Sequence, residues 1–283
     1  MNKDTKYDEK FIQDLKCYFE EILENSFKCE HGSKSLRQAS SYALESGGKR
    51  LRPLMLMMSC FTFSNEYKRS ENFAIALEMI HNYSLVHDDL PCMDDDDYRR
   101  GQFTVHKKYG EANGVLAGDL LLNLAYEIIA KELFCFSMKN KIKAFQIIAK
   151  AAGIAGMVGG QFLDINKNVD TYEELEMIYH KKTGALIQAA VLAGAYLGGA
   201  NESDIKKMEK FGQCLGMAFQ LRDDMLDWKT GDKLNADLFL SKEECEKLVE
   251  KYSKTAIESI FSLENKEISF LHKFTEFLIN RAV

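Results

Sequence analysis

Apolar residues recur at helical spacing along most of the chain. Near the N-terminus Phe11, Leu15 and Phe19 fall on one face of a predicted helix, which ends or is interrupted at Gly32. The same spacing predicts further helices at residues 35–45, 51–63, 71–90, 112–135, 141–166, 171–200, 203–228, 241–262 and 267–281. No linker, repeat or low-complexity tract separates them, so we expect one domain over residues 1–283.

Two of the predicted helical segments, 71–90 and 185–199, are apolar on most faces and therefore belong at the centre of a bundle. The chain contains only two prolines, Pro53 and Pro91, and Ala, Leu, Glu and Lys are plentiful. We therefore predict an all-α fold, a single-domain helical bundle. Its apolar interior is the natural place for an apolar substrate tail, so we expect a central substrate cavity.

Charge and cysteine content exclude several classes of protein. The net charge of −6 argues against broad nucleic-acid binding, which needs a basic stripe. The seven cysteines are scattered and never spaced as CxxC, which favours a reducing cytoplasm over a disulfide framework or a zinc site. The charged N-terminus lacks the order of a signal peptide. The long uncharged stretch 183–201 is rich in Ala and Gly, so we predict a buried helix and no membrane span.

Residues 88–97 hold six carboxylates directly after an apolar helix. One interpretation is a solvated charge run, the common explanation for acidic stretches. The ligand spacing and central glycine of an EF-hand are absent. Asp88 and Asp94 would face different sides of a regular helix, but Pro91 disrupts the turn and allows a bulge to bring them together. We interpret His87, which precedes the run, as an orienting or packing residue.

A second acidic cluster lies on a predicted helix. Asp223, Asp224 and Asp227 are three or four residues apart, so all three can project towards one face. Such a set of carboxylates costs stability unless cations bind it. Because the ligands are oxygen only, the cluster favours magnesium, which completes its shell with substrate phosphates and water. Two carboxylate clusters near basic residues suit a diphosphate held through metal ions.

With these motifs the sequence resembles the trans-isoprenyl diphosphate synthase family, and in particular bacterial-type farnesyl diphosphate synthases. The stretches that match the family are the GGKRxRP loop at Gly47–Pro53, the first aspartate-rich motif at Asp88–Asp94, Gly160-Gln161-x-x-Asp164, Lys182-Thr183-Gly184, and the second aspartate-rich motif at Asp223–Asp227. The likeness is good over residues 10–228 and weak beyond them. It implies the all-helical isoprenoid synthase fold.

The resemblance implies a role for each matching residue. The residues expected to hold isopentenyl diphosphate are Gly48, Lys49, Arg52, His81 and Arg100. Those expected to hold the allylic diphosphate are Arg99, Lys182 and Gln220. The carboxylates expected to bind magnesium, at three ions per active site, are Asp88, Asp89, Asp94, Asp223, Asp224 and Asp227. The groups expected to act on the reacting allylic end are Lys182, Thr183 and Gln220.

The implied activity is a prenyltransferase that joins isopentenyl diphosphate to dimethylallyl or geranyl diphosphate and yields farnesyl diphosphate. Stabilisation of the departing diphosphate by metal and basic groups would let the allylic bond ionise, after which the double bond of isopentenyl diphosphate attacks. The released diphosphate would take the proton that is lost. The resemblance also implies a homodimer, and we expect a cytoplasmic enzyme.

Three alternatives stay open at this stage. The first is a product of geranyl or geranylgeranyl length, since synthases of both products share the motifs. A cyclase on a similar scaffold would need neither the loop at residues 48–52 nor Arg100, because it has no second substrate. A non-catalytic subunit of a heteromeric synthase would not need intact aspartates in both clusters.

Chain length is expected to depend on the helix that leads into Asp88. Tyr83 and Ser84 lie five and four residues before that aspartate, so both can face the pocket about one turn below the metals. An aromatic ring at Tyr83 is expected to act as a floor that stops growth at farnesyl length.

The segment after Asp227 departs from the family pattern, because it passes quickly into the helix around Ser241 and looks shortened. The usual diphosphate-binding lysine has no secure counterpart, and Lys229 and Lys233 are the candidates. A missing lysine would leave the allylic diphosphate less neutralised, so we expect retained magnesium binding with weaker catalysis or some primer hydrolysis.

Overall fold

The computed structural model describes residues 3–27, 33–133, 138–166, 168–229, 234–264 and 266–279, and side chains from residue 10 onward. The described chain is almost entirely helical, which confirms the all-α prediction. The α-helices are α1 Lys3–Ser26, α2 Lys34–Glu45, α3 Leu51–Ser64, α4 Glu71–Asp88, α5 Val105–Tyr109, α6 Glu111–Glu132, α7 Met138–Ala152, α8 Met157–Asn166, α9 Tyr172–Tyr179, α10 Ala185–Gly198, α11 Glu202–Leu226, α12 Lys242–Phe261 and α13 Ser269–Ile279.

Shorter elements complete the described fold. Two 3₁₀ turns cover Tyr67–Ser70 and Ala236–Leu238, and a π-helix covers His180–Gly184. A small antiparallel hairpin pairs β1 (Tyr98–Arg99) with β2 (Gln102–Phe103), with Tyr98 opposite Phe103.

Two predicted helices are divided in the structure. The segment 141–166 is interrupted between α7 and α8, where residues 153–156 read Gly-Ile-Ala-Gly and form a bend. The segment 171–200 is helical from Tyr172 to Gly198 but passes through the π-helix between α9 and α10. Periodicity predicted both helical stretches but cannot register these breaks, because the apolar spacing continues across them.

The chain divides into two compact units. Unit A comprises Gln13–Leu54 and Glu71–Met138, and unit B comprises the chain through Ile12, Met55–Ser70 and the chain from Lys139 onward. In unit A, α4 packs against α6 and α2. The fully buried side chains between α4 and α6 include Phe73, Leu77, Ile80, Leu121, Ala125 and Ile129.

In unit B, α10 is buried on nearly every face and packs against α11, which in turn packs against α12. The Ser59 hydroxyl donates a hydrogen bond to the Val191 carbonyl at 2.7 Å, which ties α3 to α10. The uncharged stretch 183–201 is therefore the buried helix that the sequence predicts. A different stretch, 138–166, is long and apolar enough to cross a membrane, but the bend between α7 and α8 interrupts it.

Arg50 holds together the loop that precedes α3 in unit A. Its guanidinium is buried, and it donates to Glu78 at 2.8 Å, to Glu20 at 2.9 Å and to the Leu44 carbonyl at 2.6 Å. Burial alone would lower the pKa of Arg50, but the hydrogen bonds and charges of Glu20 and Glu78 outweigh it and raise that pKa. The loop is thus anchored to α1 and α4 by one arginine.

Candidate active site

The first aspartate motif begins where α4 ends, at Asp88. Pro91 has no amide hydrogen to continue the helix, and the chain turns back on itself. The Met93 amide donates to the Leu90 carbonyl at 2.8 Å, and the Asp94 amide donates to the Asp88 carbonyl at 2.8 Å. This return brings the two ends of the DDx4D motif together, as the bulge at Pro91 predicts.

Asp89 points inwards and pairs with Arg99. The Asp89 carboxylate is buried and accepts a hydrogen bond from the Arg99 Nε at 2.6 Å. Burial raises the pKa of Asp89, and the hydrogen bond and charge of Arg99 act against that rise. Arg99 stands in β1 of the hairpin, and its partner in this structure is a carboxylate of the first motif. Asp89 and Arg99 therefore form one charge pair at the base of the motif.

Arg100 follows directly and faces the glycine loop. Arg100 lines the same pocket as Asp89 and Arg99, and its guanidinium donates a hydrogen bond to the Gly47 carbonyl. Gly48 has a φ of +138°, a conformation that favours glycine, and a Cβ there would lie 2.8 Å from the Arg100 Nη1. Lys49, next in the loop, is exposed. The structure thus joins Gly48 and Arg100, two of the residues expected to hold isopentenyl diphosphate.

Arg52 and His81 also meet within unit A. The Arg52 Nη1 lies 3.2 Å from the His81 Nε2, and because a guanidinium only donates, that nitrogen accepts. Burial lowers the pKa of His81 well below its usual value, and the positive charges of Arg52 and Arg100 lower it further. His81 is therefore a neutral ring that orients Arg52. Ser84 donates to the His81 carbonyl at 2.8 Å, whereas the ring of Tyr83 is buried.

The π-helix of unit B carries Lys182 and Thr183. The Lys182 ammonium pairs with Asp164 on α8. Gly160 lets α8 come this close to the π-helix, since a Cβ at that position would lie 2.3 Å from the Lys182 amide nitrogen. The Thr183 hydroxyl donates to the Gln220 side-chain oxygen on α11 at 2.7 Å. The Gly-Gln-x-x-Asp and Lys-Thr-Gly motifs therefore form one cluster around the π-helix.

Asp224 is the anchor of this cluster. Its carboxylate is buried and accepts hydrogen bonds from Tyr179, from Gln220 at 2.9 Å and from the Ala236 amide at 3.0 Å. Burial raises its pKa, and the hydrogen bonds from Tyr179, Gln220 and Ala236 oppose the rise. Both oxygens of Asp224 thus accept hydrogen bonds from protein groups in this structure. Asp223 is half-buried and Asp227 is exposed.

Sequence reasoning missed several residues of these clusters. Asp164 belongs to a motif to which the sequence assigns no role, and Tyr179 lies in none of the motifs. Spacing could have suggested Tyr179, which lies three residues before Lys182 on the same helical stretch. Of the two candidates for the diphosphate-binding lysine after Asp227, Lys229 is exposed and its amide donates to the Asp237 carboxylate at 2.8 Å, while Lys233 lies outside the described residues.

The donor set of both motifs fits magnesium. The candidate ligands Asp88, Asp94 and Asp223 offer oxygen atoms only, which is the preference of this ion. In unit B both polar atoms of the Gln161 side-chain amide are buried and have no hydrogen-bond partner among the described residues. A buried amide of this kind normally has a hydrogen-bond partner, so Gln161 can bind water or a polar ligand.

A further set of possible ligands stands after the first motif. Within the described residues, the side chains of Asp95, Asp97 and His106 bring one ligand atom each to within 4.8 Å of one another. The Lys107 ammonium lies 2.7 Å from Asp97 and supplies a positive charge there. Residue spacing does not predict this set, because the hairpin brings His106 back to the acidic run.

Comparison with known proteins identifies the family. The family described as polyprenyl synthetase matches residues 33–238. The chain belongs to this family. As a polyprenyl synthetase it is a trans-prenyl diphosphate synthase, and the family uses magnesium, in keeping with its aspartate motifs.

Individual relatives support this conclusion. The chain is 40% identical over 257 residues to a geranylgeranyl diphosphate synthase of Cyanophora paradoxa, covering 85% of each chain. It is 42% identical over 222 residues to a farnesyl diphosphate synthase of Geobacillus stearothermophilus, covering 77% of this chain and 75% of that one. Among solved structures, a geranyltransferase of Legionella pneumophila matches with a TM-score of 0.89 and 32% identity, over 98% of this chain and 99% of that one.

Proposed function

We propose that the chain is a farnesyl diphosphate synthase, which condenses isopentenyl diphosphate with dimethylallyl and then geranyl diphosphate. Relatives of both farnesyl and geranylgeranyl type are similar to it, so family membership leaves product length open. The observation that carries the proposal is Tyr83, whose ring is only 7% exposed and stands five residues before Asp88 on α4. A large rigid ring at that position suits a pocket that stops at farnesyl length.

Each unit would contribute its own part of the machinery. In unit A, Arg52 oriented by neutral His81, with Lys49 and Arg100, would hold isopentenyl diphosphate, since arginine and lysine both suit phosphate oxygens. In that unit Arg99 would also serve the allylic diphosphate. Its hold on Asp89 keeps the arginine in place before substrate enters.

In unit B, Lys182 on the π-helix would hold the allylic diphosphate, and Asp164 orients it meanwhile. Thr183 donates to Gln220, and Gln220 donates to Asp224, so the oxygens of Thr183 and Gln220 are fixed in direction. Fixed oxygen dipoles stabilise a developing allylic cation without reorganisation at the moment of reaction. Asp224 therefore acts through Gln220 and Tyr179, as a positioning residue.

Within unit A, Asp88 and Asp94 would hold magnesium. Within unit B, Asp223 would do so, with Asp227 one turn further along the chain. The family resemblance implies three ions per active site. Bound magnesium supplies Lewis acidity that neutralises the departing diphosphate. Asp89 and Asp224 hold protein donors in this structure, so we assign them to support the ligands.

We further propose a cytoplasmic homodimer of single-domain chains. Large apolar side chains are exposed on α6 at Val115 and Leu116 and, separately, on α8 at Val158 and Phe162. Exposed apolar patches of this kind mark association surfaces in soluble proteins. The cytoplasmic location is supported by five free thiols among the described residues, at Cys17, Cys60, Cys92, Cys214 and Cys245. Light scattering of the purified chain measures the oligomeric state, and a monomer at micromolar concentration would contradict the dimer.

The experiment that tests the function is incubation of the purified chain with isopentenyl diphosphate, magnesium and each allylic primer in turn. Chain-length analysis should give farnesyl diphosphate as the main product. A main product of geranyl or geranylgeranyl length would correct the specificity. A cyclic product without use of isopentenyl diphosphate, or no product at all, would favour a cyclase or a non-catalytic subunit.

Tyr83→Ala should lengthen the products. Removal of the buried ring opens space one turn below the aspartates, so the farnesyl intermediate can accept a further isoprene unit. The main product is expected to shift from farnesyl to geranylgeranyl length, measured by chromatography of the dephosphorylated alcohols. Tyr83→Phe keeps the ring and serves as the control. A Tyr83→Ala variant with the parent's product distribution would remove the ring from the account of chain length.

A further inference from the structure

His87 lies in the last turn of α4, and its ring contacts α6 at Val115, at Gly118 and at Asp119, whose carboxylate is 3.9 Å from the His87 Nε2. Its Nε2 lies 3.0 Å from the Val115 carbonyl, and because a carbonyl only accepts, the ring donates. The ring lies directly on Gly118, where a Cβ would stand 2.1 Å from the Nε2 and 2.4 Å from the Cδ2. The side chain of any other residue at position 118 would collide with the ring, so the position that His87 occupies requires a glycine there.

The same ring also supports Tyr83. Tyr83 lies one helical turn before His87 on α4, and the two rings meet edge to face with centroids 5.8 Å apart and an interplanar angle of 79°. The hydrogen bond to Val115 fixes His87 on the side of α6, and the ring contact passes this constraint to Tyr83. Tyr83 is therefore braced by a residue that is itself fixed by a second helix.

We propose that His87 and Gly118 are positioning residues for product length: they hold the ring of Tyr83 in the orientation that ends chain growth. The inference rests on the proposed function, because it concerns the floor that Tyr83 provides. A ring that can rotate yields to a growing apolar tail, whereas a ring braced against a neighbouring helix does not. The stopping point is thus set by the contact between α4 and α6 together with the identity of residue 83.

The test uses Gly118→Ala, which leaves Tyr83 and every aspartate in place. The added methyl group displaces His87, the brace is lost, and the main product is expected to shift by one isoprene unit towards geranylgeranyl diphosphate. Gly114→Ala is the matched control, because it adds the same methyl group one turn earlier on α6, where its nearest neighbours are Leu90 at 3.0 Å and His106 at 3.3 Å and not His87. The product distribution of this control should stay that of the parent.

Two further variants keep the test decisive if Gly118→Ala does not fold. His87→Leu keeps a side chain of similar volume but removes the hydrogen-bond donor to Val115, and it should lengthen the products. His87→Gln keeps a donor for Val115 and should retain the parent's product distribution. In a Tyr83→Ala background, Gly118→Ala should add no further shift, since two changes that act through one contact are not additive. Product distribution is the readout, because a general loss of stability lowers the yield without changing chain length.

Three results would overturn the inference. If Tyr83→Ala lengthens the products but Gly118→Ala and His87→Leu do not, the floor stands without its brace. If Gly114→Ala shifts the products as much as Gly118→Ala, general packing of α6 and not His87 is responsible. If Tyr83→Ala itself changes nothing, there is no floor to position, and the assignment of farnesyl length to Tyr83 fails together with the brace.

Discussion

Asp88→Ala and Asp223→Ala should each lower kcat/KM for condensation by about a hundredfold or more, because each change removes a carboxylate that would hold the magnesium facing the leaving diphosphate. Asp88 closes α4 at the start of the first motif, and Asp223 stands on α11 at the start of the second. Neither position belongs to the buried cores around Phe73 and α10, so both variants should fold.

The measurement is steady-state condensation at several magnesium concentrations, combined with circular dichroism to establish folding and calorimetry to follow magnesium binding. Asp170→Ala is the control, because this aspartate is exposed and lies outside both motifs. Near-parent rates with unaltered magnesium dependence in either motif variant would show that the carboxylate does not hold the metal.

Arg50→Ala should lower the free energy of unfolding by about 3–5 kcal/mol, because the carboxylate of Glu78 would stay buried without its counter-charge. The side chains of Arg50 and Glu78 are 1% and 3% exposed, so water cannot replace the lost hydrogen bonds. The loop of Gly47 and Gly48 is anchored by the same arginine, so condensation should also decline through misplacement of the residues that follow it.

Urea unfolding monitored by circular dichroism measures the change in stability. Arg69→Ala is the matched control, since the Arg69–Glu66 ion pair is as close, at 2.6 Å, but both side chains are more than half exposed. Exposed pairs of this kind contribute about 0–1 kcal/mol. An Arg50 variant that shifts the urea midpoint no more than the Arg69 variant would show that the buried network does not stabilise the fold.

The loop at residues 47–53 shows that residue type and position in a motif do not by themselves predict the role of each side chain. Arg50 and Arg52 are both basic residues of one motif, and sequence assigned only Arg52 to substrate while giving Arg50 no role. In the structure Arg50 turns towards Glu20 and Glu78, and Arg52 turns towards His81. The acidic partners of Arg50 lie 30 and 28 residues away, a separation at which helical periodicity carries no information.

Asp224 differs from its neighbours for the same reason. Spacing within one helical turn is fixed by helix geometry, so the sequence is enough to place the three aspartates within one turn of a predicted helix. Which carboxylate faces solvent depends on what packs against the helix, and here Tyr179 and the Ala236 amide lie against Asp224. These partners come from 45 residues before and 12 residues after it.

The sequence by itself determined the all-α fold, the family and the candidate metal carboxylates, because helical periodicity and motif spacing are local properties of the chain. It also placed Tyr83 one turn below the first motif, which follows from the rise of a single helix. Only the tertiary structure decided that His87 braces Tyr83 against α6, that Asp224 accepts hydrogen bonds from Tyr179 and the Ala236 amide, and that Arg50 forms buried ion pairs. Each of these depends on contact between segments distant in the chain, and such contacts are set by packing, burial and hydrogen-bond geometry.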